Sequence, residues 1–509
     1  MSIARGDRAD QARSRTAGFV DRLGVAAERV LGETSEGALV LWICAAFFVL
    51  WMIFLTVSTA SLDVQVDASE ASIWAQHFAF GYKHPPMTAW LFELWFAVFP
   101  QQKWAVDLLV VSTITVALAI TWRLLRDHLD KNRSLFGLFA LILVPLYDFK
   151  AEVLNANTVM IPFWAATLLF YLRARRGLRA FDAFLAGMFA SFTVLGKYWA
   201  VFLLAGIAAA SLTGPGVRRF WHSAVPYVMA LGAAIIIAPH VWWILHDRAS
   251  LHFAESVVTH ASFGSNVIRA MNYIGGAVAY VAAPLVLLAV LRPSRTALAD
   301  IAWPGDQDRR QAWVLLVVPL VLPALANLAI PYRLTPDWTF PNWALLPIVL
   351  YGSPQIKLDQ RAVARAGLLA LAVALVAVIV SPAIACARLM TAHDRYRTYP
   401  RQVAEFAARF AAQPIRRIEG SADVVASLPF YLPGSQPQPS DQAGTGTLLI
   451  VCAIEDTSCQ AVADRSLRAK NARTTTATFT RTFLGFSSAP LSVQITVVPP
   501  LQAHTQGAQ

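Results

Sequence analysis

The sequence predicts an all-α polytopic membrane protein of about eleven transmembrane helices with its N-terminus inside and a small C-terminal extracytoplasmic α/β domain. Three observations carry that expectation. Apolar residues make up 57% of the 509 and charged residues only 14%, with a mean hydropathy of +0.51, the balance of a chain held mostly in lipid. The apolar residues gather in runs, several of them long enough for a bilayer crossing of about 20 residues at 1.5 Å rise each. After residue 387 the character changes to Pro-, Ser-, Gln- and Gly-rich pieces and short β-branched runs.

The first run, residues 38–59, carries no charge. It reads as an anchor rather than a cleaved leader, because mostly polar residues precede it and Trp42, Phe47, Phe48 and Trp51 stand where a small-residue cleavage motif would fall. Further runs lie near 104–122, 134–147, 156–172, 181–195, 198–213, 223–243, 271–291, 312–330, 338–353 and 366–386. With the N-terminus inside, the inward segments hold 23 Lys and Arg and the outward ones 7, the bias that orients membrane proteins. The same bias accounts for the net charge of +11 and pI near 9.7 without any nucleic-acid partner. The resulting organisation is a cytoplasmic segment 1–37, a transmembrane part 38–387 with a first outer loop at 60–103, and a soluble extracytoplasmic domain 388–509.

Within the tail, Pro400–Ala412 has a helical pattern, and Thr447–Ala453 and Leu491–Val498 read as strands. Cys452 and Cys459 are close enough to bridge in an oxidising compartment, and a disulfide and two free thiols fit the spacing equally. Cys44 and Cys386 lie in apolar runs and read as small core filler. Zinc-ligand spacing is absent from the sequence.

Chemistry concentrates in the first outer loop. Asp67-Ala-Ser-Glu70-Ala-Ser-Ile-Trp74 is followed by Gly81-Tyr-Lys83-His84-Pro85-Pro86. Asp67 and Glu70 share one face if a helix starts there, and the same spacing is also that of a capping box. Ala68–Phe80 and Pro86–Phe99 are too short to span and read as helices lying in the interface. Lys83 and His84 fall at the level of a lipid phosphate, although a lysine there also snorkels to headgroups. Lys197-Tyr198 separates two apolar runs, where a cation needs a partner: an anionic ligand, or Glu152 or Asp148. Arg333 is a second cation between outer span ends, with simple solvation as its other reading. His240, beside Pro239, reads as a packing residue, and His246 and Asp247 as loop-shaping residues.

These residues carry a resemblance. The first-loop pattern is similar to that of integral-membrane glycosyltransferases of the dolichyl-phosphate-mannose protein mannosyltransferase and aminoarabinose-transferase type, with the C-superfamily fold (family 39-like). Leu195-Gly-Lys197-Tyr198, Trp243-Ile-Leu-His246-Asp247-Arg-Ala-Ser250-Leu-His-Phe253 and Asp337-Trp338-Thr-Phe-Pro341 fall in the family's order, so the resemblance covers about residues 60–350. It implies an enzyme of the cytoplasmic (inner) membrane that moves a sugar from a polyprenyl-phosphate donor to a glycolipid, polysaccharide or protein of the envelope. Asp67 and Glu70 would be catalytic, and Lys83, His84, Lys197, Tyr198 and Arg333 would bind the donor phosphate or substrate. No metal ligands are assigned, and a divalent cation is left open as a cofactor. Two departures stand out: Ser69 precedes Glu70 where many relatives have an aspartate, and Asn157 stands where relatives often carry Asp.

Two other classes fit the same composition. A transporter would use the outward charges as a gate, although no matching halves are visible. A non-catalytic subunit of an envelope-glycan assembly complex would explain Ser69 and Asn157. The topology is testable directly: reporter fusions after Asp130, Arg176 and Gln360 should report the cytoplasm, and fusions after Phe80, His260 and Gly420 the outer side. Inversion of the Gly420 fusion alone would make the span number even.

Overall fold

A computed structural model describes residues 18, 21–76, 79–82, 84–256, 258, 262–391, 395–438, 445–467 and 472–500. Lys83, His77 and His260 lie outside them. Helix α1 (Glu36–Ser58) begins where Ser35 accepts from the Ala38 amide at 3.4 Å, the usual N-cap. The two interfacial helices expected in the first loop are α2 (Val66–Trp74) and α3 (Met87–Phe96). The principal helices of the bundle follow as α4 (Lys103–Arg126), α5 (Lys131–Ile142), α6 (Ala156–Gly177), α7 (Ala180–Gly196), α8 (Val201–Ser211), α9 (Val225–His246), α10 (Phe263–Tyr280), α11 (Ala282–Val290) and α12 (Gln307–Ala329). A 3₁₀ helix at Pro336–Leu345 runs into α13 (Leu346–Tyr351), and the 32-residue α14 (Gln360–Thr391) closes the bundle.

Each of the eleven apolar runs forms helix, but their lengths are unequal. Among the described residues, α1, α4, α9, α12 and α14 are long and apolar enough to cross a membrane, and α10 with α11, bent by 54°, makes a sixth if counted as one span. Helix α5 has 12 residues and rises about 18 Å, well short of the roughly 30 Å hydrocarbon layer. Every residue of α5 from Ser134 to Ile142 is buried, and a helix enclosed by others reads in a hydropathy window just as a lipid-facing one does. The run 338–353 is likewise a 3₁₀ segment and a six-residue helix. Helices α7 and α9 meet backbone to backbone: a Cβ at Gly187 would run into the Met229 carbonyl, and one at Gly232 into that of Phe184. Such small residues replace hydrophobic driving force as the basis of helix contact within lipid.

The tail builds a five-stranded sheet in the order β2-β1-β3-β7-β4, with β1 (Ile415–Gly420), β2 (Gln436–Pro437), β3 (Thr447–Ala453), β4 (Arg473–Phe479) and β7 (Leu491–Val498). A hairpin, β5 (Thr482–Phe483) and β6 (Phe486–Ser487), stands apart. Strand β1 runs parallel to β2 and β3, while β7 is antiparallel to β3 and β4. The two strands legible in the sequence thus pair at the centre. Leu449, Val451, Val493 and Ile495 pack with Val403 and Ala407 of α15 (Pro400–Phe410) into a core separate from that of the bundle. Strand β1 is charged (Ile-Arg-Arg-Ile-Glu-Gly) and β4 is a Thr-rich edge, so neither shows the apolar alternation that marks a half-buried strand.

Cys452 of β3 is bridged to Cys459 of helix α16 (Thr457–Ser466), with the two Cα atoms 5.4 Å apart. Cys44 and Cys386 are free. Asp456 caps α16, accepting from the Cys459 amide at 3.0 Å. Alkylation without reductant should therefore leave Cys452 and Cys459 unmodified and label both once a reductant is added. Labelling before reduction would remove the bridge.

Candidate functional site

The geometry begins with α2. Gln65 precedes it as the N-cap and makes no side-chain cap, so Asp67 sits in the first turn rather than capping it. Ala68, Ser69, Ala71, Ser72 and Ile73 are buried against the protein, which turns Asp67 and Glu70 to the opposite face. That face lines a cavity of about 340 Å³ together with Tyr82, His84, Asn155, Asn157, Lys197, Arg333 and Trp338. A second polar cavity of about 480 Å³ adjoins it, and the two share Asn155, Asn157, Arg333, Thr335 and Trp338.

Asn155 owes its position to being the N-cap of α6: its Oδ1 accepts from the amides of Asn157 at 2.9 Å and Thr158 at 3.3 Å. Its other end, Nδ2, donates to Asp67 Oδ2 at 3.2 Å. One side chain therefore starts a helix and aims a carboxylate. The N-terminal end of α6, where the helix dipole is positive, forms part of the cavity wall.

Lys197 stands where α7 breaks. Its Nζ donates to Asn157 Oδ1 at 3.0 Å and lies 4.0 Å from the centre of the Trp338 ring. Both partners are neutral, and no described carboxylate makes an ion pair with it. Burial brings its ammonium down to about 7, with the charge of Asp67 raising it and that of Arg333 lowering it. Glu152, a partner considered from the sequence, is taken by Arg388 at 2.8 Å and Arg397 at 3.6 Å. Arg333, on the wall between the cavities, is exposed and has no ion pair with a described carboxylate. Asn157 thus occupies the aspartate position of the resembled motif as an acceptor for Lys197, while Ser69 lies on the buried face of α2.

Tyr82 stacks on Trp74 with ring centres 4.8 Å apart, and burial, with Glu70 and Asp67 adding to it, pushes its phenol upward. It remains a neutral hydroxyl on the cavity wall. His84 lies edge-on to Phe253 at 4.5 Å. Tyr198 is not on the cavity wall. The 3₁₀ turn it opens sends its ring toward α9, where the hydroxyl meets His240 Nε2 at 3.0 Å and His240 Nδ1 meets the Phe80 carbonyl at 2.6 Å. That pair ties α9 to the first loop and supports the site from behind.

Asp67, Glu70, His84, Lys197 and Arg333, spread over 267 positions of sequence, are thus brought to one cavity. Lys83 falls outside the described residues. Tyr82, Asn155 and Thr335 were missed. Only Asn155 left a local signal, an Asn immediately before an apolar run. Among the described residues no three His, Cys, Asp or Glu side chains gather as a protein-built metal site would require.

Residues 83–243 match the family model described as dolichyl-phosphate-mannose-protein mannosyltransferase. A lipid A galacturonosyltransferase, RgtD of Rhizobium johnstonii, is 22% identical over 305 residues, 59% of this chain and 62% of that protein. The match therefore spans less than two thirds of that relative. Among solved structures, ArnT from Cupriavidus metallidurans bound to undecaprenyl phosphate superposes with a TM-score of 0.58 at 13% identity, covering 94% of this chain and 100% of ArnT. Its apo state gives 0.56 at 14%, covering 90% and 98%. The fold is that of ArnT, a multi-pass membrane fold, and the family model, which begins at residue 83, supports the resemblance to membrane glycosyltransferases of this type.

Proposed function

We propose that this chain, a membrane protein of the mannosyltransferase and ArnT-like glycosyltransferase type, transfers a sugar from a polyprenyl-phosphate donor to an acceptor on the outer face of the cytoplasmic membrane. The observation that carries the proposal is one cavity whose walls carry a carboxylate pair and two cations that no described carboxylate pairs with. The N-inside orientation, with this cavity and the C-terminal domain on the outer face, belongs to the same proposal.

The chemistry follows from the side chains. Asp67 takes the proton of the acceptor hydroxyl as its oxygen bonds to the anomeric carbon of the sugar. The bond from that carbon to the carrier phosphate breaks, and its electron pair leaves on the phosphate. Lys197 and Arg333 hold the growing negative charge, as preorganised cations aimed at a leaving phosphate do. Asn155 keeps the Asp67 carboxylate turned into the cavity. Glu70, one turn along, orients the sugar, and His84 with the neutral Tyr82 hydroxyl supplies further hydrogen bonds. The adjoining cavity is edged by Lys150 and Arg388, which are paired with Asp337 and Glu152, and by Arg333, a polar surface open to an acceptor headgroup. The naming of RgtD for lipid A favours a glycolipid acceptor, and mass analysis of envelope lipids with and without this protein tests that choice.

Asp67→Asn and Asp67→Ala should each cut transfer by about 10²-fold or more while protein level and undecaprenyl phosphate binding stay near normal. Normal transfer by both, with Glu70→Gln inactive, would move the base to Glu70. Full activity of all three and of the double variant would end this mechanism. Lys197→Ala should weaken undecaprenyl phosphate binding by about 10- to 100-fold, the range expected for a charge-assisted contact.

The position of Lys197 near 7 gives a pH dependence of definite sign. Below that value the side chain is an ammonium and binds the phosphate. As pH rises through and above it the charge is lost, so affinity should fall. A bound anion raises the midpoint, since it favours the charged form. Lys197→Arg, charged throughout, should lose this component, and comparison of the two proteins cancels titration of the lipid phosphate itself. Identical pH profiles for the two would show that titration of Lys197 does not govern phosphate binding.

A further inference from the structure

The C-terminal part of the chain grips the segment that leads into α2. Arg481, at the root of the β5–β6 hairpin, donates from Nη1 to Asp63 Oδ1 at 2.8 Å and to the Thr398 carbonyl at 3.0 Å, and from Nη2 to the Ala60 carbonyl at 3.0 Å. Asp63 is 2% exposed. Its second oxygen accepts from the Arg401 amide at 2.9 Å, and its own amide donates to the Arg397 carbonyl. The next residue, Val64, donates from its amide to the Tyr431 hydroxyl at 3.2 Å. Four residues after Asp63 comes Asp67.

The other support of Asp67 is held by the same region. Glu152, in the turn before Asn155, is paired with Arg388 and Arg397, and Asn155 donates to Asp67. Helix α2 and the Asn155 turn are separate pieces of chain, and each is fixed to residues between 388 and 481. A buried ion pair is weak evidence of stabilisation, since the desolvation of both charges offsets much of their attraction. What this one supplies is a defined position: Arg481 has three acceptors in fixed directions, and its rigid fork fits no shifted arrangement of the 60–63 backbone.

We propose that Arg481 is a positioning residue for sugar transfer: through Asp63 it sets the entry of α2 and hence the placement of Asp67 and Glu70 in the cavity. The C-terminal domain is on this account part of the catalytic assembly, although none of its strands lines the site. The proposal rests on Asp67 serving as the base.

The test uses the full-length protein with Arg481→Gln, Arg481→Lys and the double change Asp63→Asn with Arg481→Gln, the last removing both charges so that no lone buried charge can unfold the region. Three readouts are taken: the rate of appearance of the sugar-modified envelope product, binding of undecaprenyl phosphate, and amide hydrogen exchange. Arg481→Gln and the double variant should transfer about ten-fold more slowly or worse, as misplacement of a catalytic group predicts, with undecaprenyl phosphate binding within about two-fold. Exchange should quicken in residues 66–74 while β3 and β7 stay protected, and Arg481→Lys should fall between these variants and the native protein. Unchanged exchange in 66–74 overturns the proposal, as does equal loss of protection in α2, β3 and β7 in all three variants, which would make Arg481 a folding residue only. Should Asp67→Asn prove fully active, the base assignment fails, whereas the exchange result still reports whether Arg481 holds α2.

Discussion

Holding a lysine beside the cavity with no described carboxylate in ion-pair contact is the constraint on which the site depends. Lys197 meets it with an amide oxygen and the face of an indole, partners that soften desolvation without cancelling the charge. A cation over Trp gains up to about 2 kcal/mol when desolvated, and the hydrogen bond to Asn157 adds a charge-assisted contact. A carboxylate at position 157 would neutralise the lysine and leave less attraction for an incoming phosphate. The asparagine that departs from the resembled pattern is therefore consistent with a working anion site and removes the main argument for a subunit without catalytic function.

Around that cation the bundle sacrifices regularity. Helix α7 ends at Gly196, a 3₁₀ turn carries Tyr198 and Trp199, and a ten-residue 3₁₀ segment delivers Trp338. Non-helical backbone is tolerated where it lines a polar cavity or is enclosed by protein: Lys197 and Trp338 line the cavity, and Trp199 is buried. The helices flanking these breaks hold together through close approaches such as Gly187 to Met229 and Gly232 to Phe184, so the irregular turns are carried on a tightly packed frame. The C-terminal part of the chain contributes through Arg481 and Arg401, which hold Asp63, and through Arg388 and Arg397, which hold Glu152.

The sequence determined a good deal on its own. Apolar runs placed the helices, because one side chain after another that avoids water forces the backbone to satisfy its own hydrogen bonds. The spacing of Asp67 and Glu70 put both on one face of a short helix, and the two central strands of the tail showed in their β-branched runs. What it could not separate was a run facing lipid from one enclosed by other helices: α5 and the 338–353 segment have the composition of spans, yet are too short to be single ones. Burial supplied by neighbours leaves no mark on hydropathy.

The site divides in the same way. Charged residues at the ends of apolar runs announce themselves, since stranding them costs energy that only a function or a partner offsets, and so Asp67, Glu70, His84, Lys197 and Arg333 were legible one at a time. Only the tertiary structure decided that they share a cavity, that Tyr198 faces His240 instead, and that Glu152 belongs to Arg388 and Arg397 rather than to Lys197. Tyr82, Asn155 and the clasp of Arg481 on Asp63 depend on contacts across 88 and 418 positions of chain in the last two cases. A polar side chain's partner at such range is fixed by how whole helices and a sheet pack, and local sequence holds no record of that distance.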